Sequence, residues 1–329
     1  MLPTLEDLRR AYEATRRATQ VTPLLRADRL AERIGAAAAY VKPESLQWAG
    51  SFKLRGAYWR LATLGPAERA RGVIAYSSGN FAQGLAAAGQ SLGVPVTIVM
   101  PDDAPEAKRR ATEGYGARVV LSAHGERPRE EVAAAMAREL AAEEGLTLLH
   151  PFDDPVIVAG QGGAGLEALD QLGQAGAAAD AVLVSVGGGG LVGGVSLAFH
   201  YLSPATRLYA VEPEGFNSMG VSLAEGTITR VVSGSRTICD ALQAPIPGSA
   251  PFEAARLAGT QGVTVTDEAV RRAMRFAFET LKLVLEPSGA VALAAALDRV
   301  VDLRGQTALI YATGGNISLE DFSAHMAAA

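Results

Sequence analysis

A lysine in the string Gly50-Ser51-Phe52-Lys53-Leu54-Arg55-Gly56-Ala57 stands ahead of three further strings: Ser77-Ser78-Gly79-Asn80, Gly187-Gly188-Gly189-Gly190 and Thr313-Gly314-Gly315-Asn316. Their residue types divide one chemical task. A buried lysine amine forms a Schiff base with an aldehyde. Glycine amides hold a phosphate, while asparagine and threonine side chains hydrogen-bond a ring oxygen and a ring nitrogen. Each string alone has a plainer reading. A lone lysine is usually a solvated charge, Ser-Ser-Gly-Asn an ordinary helix cap, a glycine run a generic strand-to-helix turn, and the threonine a turn residue. Their order along one chain favours the chemistry.

The elements that must position them follow from periodicity. Short β-branched runs predict strands at 73–76, 96–99, 119–121, 181–186, 208–211 and 307–311, and helical patterns predict helices at 4–19, 81–92, 106–115, 129–144, 268–281 and 289–300. Such alternation specifies an α/β fold with mostly parallel sheets. Ser77 and Gly187 then each follow a strand and precede a helix, where free amides meet negative charge, and Thr313 ends a buried strand. The glycine spacing is not the Gly-x-Gly-x-x-Gly dinucleotide fingerprint.

Composition narrows the function class. The chain has 329 residues, 49% of them hydrophobic, a length that suggests roughly two domains. Thirty basic against 35 acidic residues give a net charge of −5 with no basic run, which disfavours a nucleic-acid partner. Glu6, Asp7, Arg9 and Arg10 interrupt any export signal, so a cytoplasmic location is expected. Residues 181–206 lack Asp, Glu, Lys and Arg, but four central glycines argue for a strand, a tight turn and a helix instead of a membrane span. Cys239, the sole cysteine, excludes an internal disulfide and reads as a small buried side chain.

From Thr22-Pro23-Leu24 to Asn316 the chain resembles the serine/threonine dehydratase and serine racemase family, tryptophan-synthase-like (fold type II) pyridoxal phosphate enzymes. Lys42-Pro43-Glu44, Gln47, Gln83-Gly84 and Leu285-Glu286-Pro287-Ser288-Gly289-Ala290 also match family strings, although an apolar residue or cysteine is usual where Pro43 stands. The resemblance implies two open twisted sheets flanked by helices, with residues 72–149 as a small domain inserted into a large one of residues 1–71 and 150–329. It implies Lys53 as Schiff-base lysine and base, and Phe52, Asn80, Gly187, Gly188, Gly189, Gly190, Glu286, Thr313 and Gly314 at the cofactor. Ser77, Ser78, Gly79, Asn80, Phe81 and Arg129 fall at the substrate, and a homodimer is the family expectation.

Several positions depart from or qualify the pattern. Most relatives have histidine where Phe81 stands; a phenyl ring donates no hydrogen bond, so either Phe81 packs a helix face or the pocket favours an apolar β-substituent over a second carboxylate. Arg129 matches a substrate-proximal arginine of serine racemases, or is a solvated helix-start residue. Where relatives bind a divalent cation, this chain offers Glu212, the Phe216 carbonyl and Ser218 in place of an aspartate, so a magnesium or calcium site is disfavoured. Ser78 stands where serine racemases place a second acid. The expected reaction is dehydration of a β-hydroxy L-amino acid such as threonine, serine or phenylserine to a 2-oxo acid and ammonia. The alternatives are racemisation of serine, dehydration of 3-hydroxyaspartate, β-replacement of the cysteine-synthase kind, or a dinucleotide-binding oxidoreductase or ligand sensor.

Overall fold

The structure, a computed structural model, describes residues 1–328 other than 126, 128, 233 and 235. In chain order its strands are β1 (Leu25–Arg26), β2 (Ala38–Pro43), β3 (Val73–Tyr76), β4 (Val96–Pro101), β5 (Arg118–Ser122), β6 (Thr147–Leu148), β7 (Ala181–Ser185), β8 (Arg207–Pro213), β9 (Gln261–Val265) and β10 (Thr307–Ala312). They form a six-stranded sheet ordered β1-β2-β10-β7-β8-β9 and a four-stranded sheet ordered β5-β4-β3-β6. Every pairing is parallel except that of β1 with β2.

Parallel strands covered by helices on both faces must be apolar on both. In the larger sheet Val41, Ile310, Leu183 and Tyr209 lie in register and face the core that includes the helix Pro287–Leu297. One residue earlier, Tyr40, Leu309, Val182 and Leu208 face the opposite core, filled by Leu191, Val192, Val195 and Phe199 of the helix Gly190–Leu202. Residues 181–206 are thus strand, turn and helix, and no helix among the described residues is long and apolar enough to cross a membrane. Cys239 is buried, and burial pushes its thiol up.

Several boundaries differ from the sequence expectation. The first helix, capped by Thr4, is Leu5–Thr15 rather than 4–19, and the turn beyond it is tied by Thr19 Oγ1 donating to the Thr15 carbonyl at 3.0 Å. The helix expected over 268–281 is α-helical only as Asp267–Phe276; Ala277–Leu281 widens into a π-turn closed by left-handed Lys282. Among the helices that had no sequence expectation are two that support the site: Lys53–Ala62, the lysine helix, and Pro155–Gln174, the central helix. The central helix hid behind Gly160, Gly162, Gly163 and Gly165, each unfavourable in a helix by about 1 kcal/mol relative to alanine. Close packing explains three of them. A Cβ on Gly160 would lie 2.8 Å from Gly56 Cα, one on Gly162 2.8 Å from Leu8, and one on Gly165 2.7 Å from Ala198.

Candidate active site

β7 and β10 are parallel neighbours in the larger sheet and deliver Gly187 and Thr313 at the same end, while β3 of the smaller sheet delivers Ser77 at its own C-terminal end. The lysine string joins them by backbone pairing. Ser51 bridges Gly314, the Phe52 amide donates to the Thr313 carbonyl at 3.3 Å, and the Gly315 amide to the Gly50 carbonyl at 2.9 Å. Gly50 has φ +70°, and a Cβ there would sit 2.1 Å from Asn316 Oδ1.

Lys53 opens the lysine helix and its Nζ donates to the Pro151 carbonyl at 3.2 Å. The amine lies 5.3 Å from the Phe52 ring centroid and 5.6 Å from that of Phe81. Loss of surrounding water brings it down to about 8, with no carboxylate opposing the fall. Phe81 is 2% exposed and packs with Leu54, Ala57 and Leu85. It therefore both packs a helix face and borders the lysine amine.

Asn80 begins the helix Asn80–Leu92 and uses both ends of its amide. Its Nδ2 donates to Glu286 Oε1 at 2.5 Å, and its Oδ1 accepts from Asn316 Nδ2 at 2.7 Å. Glu286 Oε2 is buried without a hydrogen-bond partner, and burial, only partly opposed by Lys108, pushes the carboxyl up to about 7. Gly314 has no room for a side chain: a Cβ would lie 2.0 Å from Glu286 Oε1. A cavity of about 370 Å³ opens beside this cluster, lined by Gln83, Lys108, Asp240, Glu286 and Asn316 but not by Lys53.

In the glycine loop, the amides of Gly187, Gly188 and Gly189 find no backbone acceptor among the described residues, and Gly189 has φ +96°. The Phe152 ring covers Gly188, 2.3 Å from where a Cβ would be. Thr313 is buried, with its amide donating to the Gly289 carbonyl. The Ser77 hydroxyl accepts from the Gly79 amide at 3.2 Å, and Ser78 and Gly79 are half-buried in the same loop.

Two outlying expectations meet other partners. Arg129 Nη1 donates to Asp103 at 3.2 Å. The Glu212 carboxylate accepts from the Met219 and Gly220 amides at 2.9 and 2.8 Å, and Ser218 Oγ donates to the Ala244 carbonyl.

Sequence reasoning missed two supports. Behind Lys53 a buried ion network joins Arg55 to Glu44 (2.7 Å) and Glu167 (2.8 Å), and Lys42 to Glu167 (2.7 Å). Lys42, Glu44 and Arg55 stand in the matched strings, but Glu167 on the central helix carries no local signal. The second is the turn at 150–154, which meets Lys53 through Pro151 and the glycine loop through Phe152.

The family described as pyridoxal-phosphate dependent enzyme matches residues 15–314. The chain is 37% identical over 323 residues to L-threo-3-hydroxyaspartate ammonia-lyase of Saccharomyces cerevisiae, covering 98% of this chain and 96% of that one. It superposes on the crystal structure of a T.th. threonine deaminase with TM-score 0.89 at 41% identity, covering 96% and 99% of the two chains. With maize serine racemase the TM-score is 0.91 at 30% identity, covering 100% and 98%. Its fold is that of the fold type II enzymes, and the chain belongs to the pyridoxal-phosphate dependent enzyme family.

Proposed function

We propose that this protein is an ammonia-lyase that dehydrates a β-hydroxy L-amino acid, threonine or serine, to a 2-oxo acid and ammonia. The observation that carries this reading is the Lys53 amine, desolvated, lowered to about 8, and held by the Pro151 carbonyl beside the Phe52 and Phe81 rings. Pyridoxal phosphate fits these residues. The amides of Gly187, Gly188, Gly189 and Gly190 stand at a helix N-terminus suited to a phosphate, and Lys53 supplies the amine for its aldehyde. Asn80 keeps a second Nδ2 hydrogen for a ring oxygen, with Phe52, Glu286 and Gly314 around it and Thr313 offering a neutral hydroxyl to the ring nitrogen. When bound, the cofactor supplies an electron-withdrawing ring that acidifies the Cα–H of an attached amino acid.

The protein's own part is proton handling and exclusion of water. The Ser77 hydroxyl and the adjoining backbone amide of Ser78 receive the substrate carboxylate. Lys53 Nζ takes the Cα proton; lowering it from 10.5 to about 8 raises its neutral fraction near pH 7 by roughly a few hundredfold. The β-hydroxyl leaves as water, its added proton balanced by the one Lys53 took from Cα, and the resulting enamine takes up water to give the 2-oxo acid and ammonia. Phe52 and Phe81 flank the amine and keep water from it. The lyase names among the relatives support this reading. The separate sheets support reading residues 72–149 as a small domain set into a large one of 1–71 and 150–329.

The substrate side chain is read as apolar, because the Phe81 ring borders Lys53 and the Arg129 guanidinium is already paired with Asp103. A second reading, racemisation, is favoured by the Ser78 hydroxyl and by the likeness to maize serine racemase. The test is 2-oxo acid release and change of configuration with threonine, serine, phenylserine and 3-hydroxyaspartate, with sulfide added to the serine assay. Release from threonine and serine with no cysteine formed is expected; cysteine as the main product overturns the lyase reading. Ser78→Ala is expected to remove any racemisation and leave most of the dehydration.

A further inference from the structure

The turn at 150–154 is tied on every side. His150 Nδ1 accepts from the Asp153 amide at 2.8 Å and the Phe152 amide at 3.4 Å. Between those atoms the chain presents the Pro151 carbonyl to Lys53 Nζ. Asp153 Oδ1 accepts from the Ala250 amide at 3.0 Å, and Asp154 caps the central helix while pairing with Arg60 of the lysine helix at 2.8 Å. The His150 ring stacks edge-on against Phe152 at 4.6 Å, and Phe152 covers Gly188.

An Nδ1 that accepts from backbone amides carries no proton, so the ring proton sits on Nε2, which faces the Tyr76 hydroxyl at 3.3 Å. A second proton on the ring would occupy Nδ1, and both turn bonds would be lost. We propose that His150 is a positioning residue for Lys53: its unprotonated Nδ1 fixes the turn that holds the Pro151 carbonyl against the lysine amine, and protonation of Nδ1 releases it. The inference rests on the reading of Lys53 as the base.

The groups facing His150 are Tyr76 from β3, Lys53 from the lysine helix, and Asp153 and Asp154 from its own turn; Glu130 and Arg138 act on Tyr76 from the neighbouring helix. Burial lowers His150 below its ordinary 6.5, Asp153 opposes, and Lys53 adds to the fall. The ring therefore stays neutral at pH 7, and the turn opens only as pH drops below 6.5.

The experiment compares His150→Ala with His150→Asn in the holoenzyme. Asparagine Oδ1 lies as many bonds from Cα as Nδ1 does and accepts from turn amides without titrating. His150→Ala is expected to lose about tenfold in kcat with KM for the amino acid changed less than about twofold. It should also shift the pH midpoint of the visible band of the lysine-bound cofactor. His150→Asn is expected to recover most of kcat and to lose the additional fall in kcat below pH 6.5, leaving the limb set by Lys53. Equal losses in both variants with native pH profiles overturn the proposal. Independently of turnover, ¹⁵N spectra of the four histidines should show one with Nδ1 unprotonated, titrating below 6.5 and absent from His150→Asn. A proton on Nδ1 of that ring at pH 7 refutes the proposal whatever the enzyme assays give, whereas an inactive native protein with the expected tautomer refutes only the functional reading.

Discussion

Lys42 and Lys53 both hold their amines away from water, and the fold treats them in opposite ways. Desolvation lowers both amines, but at Lys42 the carboxylates of Glu44 and Glu167 oppose the fall, while at Lys53 nothing does and the amine drops to about 8. The carboxyls repeat the contrast. Burial pushes both up, yet Arg55 and Lys42 outweigh it at Glu44, which ends below its ordinary value, whereas Glu286 rises to about 7. Arg55, which burial would lower, is raised by Glu44 and Glu167. Behind the lysine helix, paired charges stay charged and act as a rigid mount. In front of it, unpaired groups are driven toward neutrality, the state from which a proton moves. Burial does not decide whether an ionisable group serves structure or chemistry; the partner does.

The largest effect should come from the chemical face. Lys53→Ala removes the amine that we propose joins the cofactor and takes the Cα proton, so turnover should fall by at least about 10³-fold and the visible band should vanish. Because that amine has no charged partner, thermal stability should barely change. A retained band with retained turnover would break the assignment.

Arg55→Met and Glu167→Gln test the other face. Each leaves a buried charge unpaired, and a loss of about 3–5 kcal/mol is expected from urea unfolding of the apoprotein. If either variant were as stable as the native chain, the network would not be the mount.

Glu286 sharpens the contrast through pH. Its folded value of about 7 exceeds its ordinary 4.5, so between these values the folded state holds a proton that the unfolded state has lost. The contribution is fully present below pH 4.5, falls as pH rises toward 7, and is gone above it. Glu286→Gln should flatten this part of the apoprotein's stability profile, measured as urea midpoints at about pH 5 and about pH 8. Parallel profiles for the two proteins would show that Glu286 is ionised throughout.

The smallest effect concerns selectivity. Phe81→His puts a polar ring beside the amine and should narrow the preference for threonine over 3-hydroxyaspartate by about tenfold in kcat/KM. Unchanged ratios would return Phe81 to packing alone.

The positions of the chemical strings were legible because each sits where local rules are strongest. Strand-to-helix turns favour glycine or small residues, and the runs before Ser77, Gly187 and Thr313 read as strands because they are short, rich in β-branched or aromatic residues and end at such a turn. The lysine helix and the central helix were not legible, since glycines that look like loop residues are there to let helices touch, as Gly56 does with Gly160. The turn at 150–154 likewise reads as an ordinary Pro-Phe-Asp-Asp stretch until Lys53 is seen against it.

By itself the sequence determined the α/β class, the order of the lysine, serine-asparagine, glycine and threonine strings, and the cofactor they resemble, because these depend on residue type and near neighbours. Only the tertiary structure decided that Asn80 shares its amide with Glu286 and Asn316, that Arg129 is paired with Asp103, and that Glu167 completes the charges around Arg55. Those outcomes depend on which distant charge lies within hydrogen-bond reach in a medium that screens poorly, and separation along the chain carries no record of that distance.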